Sequence, residues 1–179
     1  MSKVRLIFKN ISFVVGSDEI GLLSLVNEEE TRELIIPCDK EMVYQFQLRI
    51  NHVPIKDSLL PETLWEVLTT QTDINLEIFI NGIIEGKYRA ILYNTKTYDT
   101  VSIRVSDAVL LSYISKIPIY IDELLMEKQS VKYEKESNGV SIPLNAMSME
   151  LLNSALSKAI AEEKYELASH LRDEIRRRK

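Results

Sequence analysis

One change of rhythm divides this sequence. Through residue 127, short apolar runs are broken every few residues by Pro, Gly, Asn, Asp or Ser; over residues 145–179, apolar side chains recur at helical spacing with no Gly or Pro among them. Met149, Leu152, Leu156 and Ile160 share one helical face, which Leu167, Leu171 and Ile175 continue. Periodicity alone fits one long helix or two. A lone amphipathic rod has no partner for its apolar face, so a hairpin is the expected form.

Charge follows the same divide. Of the 22 basic and 27 acidic residues, seven and six lie from Ala146 onward, which leaves 15 and 21, a net −6, on residues 1–145. The whole chain, at −5, lacks the basic surface of a strong non-specific nucleic-acid binder. The 179 residues suffice for one core plus a small appendage. We expect a body over 1–127, a linker over 128–145 that mixes charges with Ser, Asn and Gly, and a helical unit over 146–179.

Within the body, residues 3–15 and 20–26 read as strands joined by Gly16-Ser17-Asp18. Glu33 to Ile36 reads as a third strand, stopped by Pro37. Met42, Phe46 and Arg49-Ile50 then recur at three- to four-residue spacing, with Asp39 and Glu41 at the start of that helix. A second helix is expected from Pro61, with Glu62 in its first turn and Leu64, Trp65 and Leu68 as its stripe. Ile74, Leu76, Ile78 and Ile80 alternate strictly and give the clearest strand. Asn81-Gly82 follows as a turn signal, although Gly86 leaves the loop length open. Tyr88 to Tyr93 and Thr100 to Val105 complete a meander. Ser106 is the expected N-cap of a helix over Ala108 to Ser115. Pro118 to Ile121 reads as a short edge strand, and Asp122 to Glu127 as a final short helix. The fold class is therefore α+β, a mixed β-sheet with three to four short helices, followed by a C-terminal α-helical hairpin.

No apolar run approaches the roughly 20 residues of a bilayer-spanning helix. The N-terminal MSKVRLIFKNISFVV alternates and so lacks a signal-peptide core. A single cysteine, Cys38, excludes an internal disulfide and a cysteine-rich zinc site. A cytoplasmic protein without membrane contact is expected. His52 and His170 form no cluster in sequence, and there is no phosphate-binding loop, dinucleotide fingerprint or nucleophile elbow.

Two stretches resemble known families. Glu150 to Arg178, above all AIAEEKYELASHLRDEIR, resembles the UVR motif, a helical hairpin of excision-repair proteins and some stress-response adaptors. The matching positions are Leu152, Ala155, Ala159, Tyr165, Glu166, Ala168, Leu171, Arg172, Asp173 and Ile175. The resemblance implies a turn near Glu163-Lys164. It also implies protein–protein contact through Leu152, Leu156, Tyr165, Leu171, Arg172 and Ile175, often as self-association.

Residues 1–127 resemble the bifunctional nuclease domain, a family assigned DNase and RNase activity. Ile35-Ile36-Pro37 followed by Glu41 is similar to its strand-to-helix entry. Tyr88-Arg89-Ala90 is similar to its aromatic-rich strand. Arg104-Val105-Ser106-Asp107-Ala108, followed by Ile117-Pro118-Ile119-Tyr120, is similar to its Arg-Pro-Ser-Asp-Ala signature and Ala-Pro-Ile-Tyr strand. The chain also departs from the pattern. Residues 58–63 read Ser-Leu-Leu-Pro-Glu-Thr in place of Arg-Pro-Leu-Thr-His-Asp. Ser102 replaces an acid, Val105 the signature proline, and Pro37-Cys38 an Ile-Gly pair.

The resemblance implies metal-assisted phosphodiester hydrolysis of DNA or RNA with Mg²⁺ or Mn²⁺. Such chemistry needs charge neutralisation at phosphate and an activated water. The matching segments offer Arg104, Asp107 and Glu41 as catalytic candidates, then Glu62 and Arg89. Arg104 would take a phosphate in its fork, and Asp107 would ligate the metal or position water. A structural reading stands beside this one. First-turn acids complement a helix dipole, and Arg104 would be the ion-pair partner of Asp107. Arg176 to Lys179 likewise complements a helix C-terminus. The competing expectation is a catalytically silent scaffold that recruits a repair or proteostasis partner through the hairpin. Sheet edges and the tail stripe imply a homo-oligomer in either case.

Overall fold

The computed structural model describes residues 2–14, 19–133, 144, 147 and 149–178. The body is a mixed eight-stranded sheet in the order β6-β5-β4-β7-β1-β2-β3-β8. In chain order its strands are β1 (Lys3–Phe13), β2 (Ile20–Asn27), β3 (Arg32–Asp39), β4 (Leu76–Ile84), β5 (Lys87–Asn94), β6 (Thr100–Arg104), β7 (Ile119–Asp122) and β8 (Val131–Lys132). Among the described residues, only β4 and β7 pair in parallel. The expected turn at Gly16-Ser17-Asp18 and most of the expected linker lie outside the described residues.

Alternation builds one helix-bearing face. Ile103, Ala90, Ile80, Ile121 and Val4 stand side by side across β6, β5, β4, β7 and β1. Leu92, Ile78, Ile119 and Leu6 form the next row. Against them pack α1 (Lys40–Ile50) and α3 (Val105–Ser115). Phe46 of α1 stacks on Phe8 of β1, ring centroids 4.8 Å apart, and Tyr113 of α3 meets both rings edge-on. Strand β2, between β1 and β3, is buried on both faces, which is why its LLSLV run shows no clean alternation.

Four local expectations are corrected. β3 runs through Pro37 to Asp39, because β8 pairs only with Arg32 and Glu33 and leaves an open edge where proline is tolerated. Asn81-Gly82 is a register shift inside β4; the turn is Glu85-Gly86, with positive φ at both residues (52° and 75°), as a type I′ turn requires. Ser106 is not a cap: β6 runs straight into α3, Arg104 holds the cap position, and no side chain caps the helix. The strand after Pro118 is not an edge but lies between β4 and β1. Pro118 sits just outside it and uses its carbonyl to accept from Ile78 N at 2.9 Å.

Helix α2 (Leu60–Gln71) follows a short 3-10 turn (Pro54–Ser58) and buries none of its residues completely. Its Leu64 and Leu68 are exposed, and only Trp65 leans on the core. Helix α4 (Glu123–Gln129) starts on Asp122, whose carboxylate accepts from Leu125 N. With β8 pairing on β3, the sheet extends past residue 127, where the linker was expected to begin.

The tail is a hairpin of α5 (Met149–Ala161) and α6 (Tyr165–Arg177), turning at Glu163 with φ of 57°. Leu151, Leu152, Ala159, Ala168, Leu171 and Ile175 form its own core, which also takes in Val14 and Ile20 of the body. The hairpin is therefore docked. Arg178 fastens it: its guanidinium donates to the carbonyls of Met147 and Leu144, and to Glu174. Gly86 of the β4–β5 turn lies directly against Met147 and Arg178.

Candidate functional site

The strand-to-helix junctions place the site. β3 ends at Asp39, whose Oδ1 caps α1 by accepting from Met42 N at 2.9 Å. β6 ends at Arg104, next to that cap in space. Arg104 closes its fork on Asp107 of the first turn of α3, Nε to Oδ2 at 2.6 Å and Nη2 to Oδ1 at 3.0 Å. Its remaining arm reaches Asp39 Oδ2 at 3.4 Å. These hydrogen bonds, those of Asp107 foremost, raise the pKa of the guanidinium further. The Arg104 side chain is 66% exposed, so the pair is solvated and contributes little to stability, at most about 1 kcal/mol.

Arg104, Asp107, Asp39 and Glu41 line one open cleft of about 530 Å³, closed on its far side by Leu59, Leu60 and Pro61 at the start of α2. Three helix N-termini meet there, and their aligned amides favour anions. Glu41 is exposed and has no ion pair among the described residues. Arg89 stands opposite Arg104 across the β5–β6 ladder, exposed and likewise without a carboxylate partner among the described residues.

Glu62 does not join them. Its two oxygens take the Nε and Nη2 of Arg49 at 2.7 and 2.8 Å, and Arg49 is 97% buried. The sequence carried a signal for this pair: a charged residue on the apolar phase of α1 must find a partner when buried. Asp39, read from sequence only as a helix-start acid, is the residue missed in the site. His52 and His170 are both exposed.

A metal expectation attaches to Asp107. Among the described residues no three His, Cys, Asp or Glu side chains are grouped to hold an ion. Both oxygens of Asp107 and one of Asp39 are taken by Arg104. A donor set bridged by a guanidinium does not fit a resident divalent cation.

On the other side of Arg104 lies a second cleft, of about 400 Å³, between the body and the start of α5. Cys38 lines it; burial, and then the charge of Asp39, push this thiol up to about 12. Tyr88 lines it too, its hydroxyl raised by burial and without a hydrogen-bond partner among the described residues.

The model of the bifunctional nuclease domain family matches residues 23–134. The chain belongs to this family. Within the bifunctional nuclease domain the match starts in β2 and ends just past β8, so it contains Asp39, Glu41, Arg89, Arg104 and Asp107, and it does not reach α5 or α6. No curated protein matches the chain. Among the described residues, no helix is long and apolar enough to cross a membrane.

Of the tail residues expected to meet a partner, Leu152, Leu171 and Ile175 are spent inside the hairpin and Leu156 is half-buried. Tyr165 and Arg172 are exposed, as are Ile160 and Leu167.

Proposed function

We propose that the chain is a phosphodiesterase of DNA or RNA that works through Arg104, Asp107 and Glu41, with Asp39 steadying Arg104. One observation carries this reading: the three side chains converge on an open cleft at three helix N-termini, inside a bifunctional nuclease domain. A guanidinium fork that fits a carboxylate fits a phosphate equally. An incoming phosphodiester competes with Asp107 for Arg104, and the carboxylate so released accepts a proton from the attacking water. The bond from phosphorus to the leaving oxygen breaks, and that oxygen takes a proton from solvent. Mg²⁺ or Mn²⁺ enters as a requirement to be tested, since the donor set as placed does not fit a resident ion.

The test is turnover of single-stranded DNA and RNA, with and without Mg²⁺ or Mn²⁺. Asp107→Ala should lower kcat at least about 100-fold. Unchanged turnover in the variant removes Asp107 from the mechanism. No turnover by either protein under any of these conditions ends the catalytic reading.

A second reading, a catalytically silent scaffold, is favoured by the closed Arg104–Asp107 fork and by Glu62 standing where the family has histidine. Here the UVR-like hairpin would engage a repair or proteostasis protein through its exposed residues, Ile160, Tyr165, Leu167 and Arg172. Replacing Tyr165 and Leu167 by alanine should then abolish capture of that protein, and capture that survives counts against it. A homo-oligomer belongs to both readings, since Leu60, Leu64, Val67 and Leu68 leave an apolar face of α2 exposed. Light scattering that shows only a 20.6 kDa species at micromolar concentration would contradict it.

A further inference from the structure

Helix α1 carries Glu41, Gln45 and Arg49 at four-residue steps, so the three follow one another along one side of it. Glu41 and Gln45 line the cleft that holds Arg104 and Asp107, while Arg49 lies behind, buried against Glu62. Gln45 joins the two. Its Oε1 accepts from Arg49 Nη1 at 2.9 Å, and the same Nη1 donates to the Gln45 backbone carbonyl at 2.8 Å. An arginine can only donate, so the oxygen of the carboxamide must be the end that faces it. The amide nitrogen, Nε2, is thereby turned away from Arg49, and it has no acceptor among the described residues. It is not sealed in: among those residues, the buried side-chain atoms left without a partner are Tyr88 Oη and Gln129 Oε1. Half-buried Gln45 thus presents a donor with open surface on a wall of the cleft.

We propose that Gln45 is a substrate-binding residue of this cleft: its Nε2 donates to a non-bridging oxygen of the scissile phosphodiester, and the Arg49–Glu62 pair aims it. The inference rests on the phosphodiesterase reading and adds a neutral donor to it. Turning a free glutamine amide over exchanges donor for acceptor, and an acceptor set against a phosphate oxygen repels it. Arg49 removes that alternative. Arg49 is itself immobilised, because Glu62 holds Nε and Nη2 while Nη1 is spent on Gln45. A buried ion pair of this kind adds little to stability over apolar side chains of the same size. Its use here is orientation, which gives Glu62 a part in the site although it touches no substrate.

The experiment compares steady-state turnover of single-stranded DNA by the full chain with that of Gln45→Met and Gln45→Glu. Gln45→Met removes the donor and should lower kcat/KM at least about tenfold, the loss of a hydrogen bond to a charged group. Gln45→Glu keeps the bond from Arg49, so the urea midpoint should not fall, but it turns a carboxylate to the phosphate and should lower kcat/KM further. A glutamine that serves only to hold Arg49 predicts a Glu variant as active as wild type, and that result overturns the proposal. Glu62→Gln loosens the aim. It should lower kcat/KM in the wild-type background and do nothing further in Gln45→Met, whereas equal losses in both backgrounds overturn the positioning role. Affinity for a single-stranded oligothymidylate separates this inference from hydrolysis. In a chain that binds the oligomer but cuts nothing, weaker binding by Gln45→Met keeps the donor and refutes hydrolysis, and unchanged binding refutes both. A chain that cuts DNA as fast after Gln45→Met refutes the donor alone. One that neither cuts nor binds overturns the inference together with the phosphodiesterase reading.

Discussion

A methyl group on Gly86 would stand 2.6 Å from the Met147 carbonyl oxygen and 2.7 Å from Arg178 Nη1, on a backbone whose φ is already +75°. Gly86→Ala should therefore cost at least about 1 kcal/mol. At Gly82 an added methyl meets nothing within 4 Å, and Gly82→Ala should be neutral or slightly stabilising. Urea midpoints of the two variants check this, and similar losses in both would refute it. Cys38 gives a second residue-scale prediction. Its ordinary pKa of about 9 is pushed up to about 12 in the folded chain. Above pH 9 the unfolded chain gives up a proton that the folded chain keeps, so stability is full below pH 9 and falls as pH rises toward 12. Cys38→Ala should flatten that alkaline fall in urea titrations between pH 8 and 11. An unchanged slope would show that the thiol is not its source. At this scale the sequence could name Arg104, Asp107 and Glu41 because the segments that carry them resemble those of the family. It could not show that Arg104 also reaches Asp39, since that contact joins residues 65 apart.

Among the elements, α2 is held in an unusual way. It buries no residue fully, and its first turn is tied to the body through Glu62 on the buried Arg49. Glu62→Ala leaves that guanidinium without its carboxylate and should cost about 3 kcal/mol. Amide exchange should rise in α2 before it rises in α1, and a uniform rise would contradict the tether. The hairpin responds to acid. Burial pushes the Glu174 carboxyl up, but the hydrogen bonds from Arg177 and Arg178 outweigh it and hold the group below its usual range. Its contribution is therefore present above about pH 4.5 and is lost as pH falls below that value. Glu174→Gln should make the hairpin's amide exchange less sensitive to pH between 5 and 3, and an equal sensitivity would refute the role. The hairpin was legible because a lone amphipathic rod would leave its apolar face without a partner, whereas the spacing by itself fits one helix or two. The place of β7 was not. A four-residue run of Ile-Tyr-Ile-Asp shows burial but not neighbours, and a parallel partner 41 residues upstream leaves no trace in local spacing.

The molecule as a whole is acidic where its family membership suggests nucleic acid. Residues 1–145 carry −6, and the cations near the clefts are few: Lys87, Arg89 and Arg104. Three phosphate contacts predict a shallow salt dependence, a slope of about −2 for log K against log salt on single strands. Arg89→Ala should reduce the slope by about 0.7. A slope several times steeper would place the interface elsewhere. The sheet order carries a different consequence. β7 fills the gap between β4 and β1, yet it is made about 40 residues after β4 begins. At 5–20 residues per second, a growing chain would spend roughly 2–8 s with the inner edges of both half-sheets open. Those edges carry Leu6, Ile78 and Ile80, which are buried once the sheet closes. A nascent chain stopped before Ile119 thus presents two sticky half-sheets with nothing between them, and synthesis itself becomes the moment when this fold most needs a chaperone.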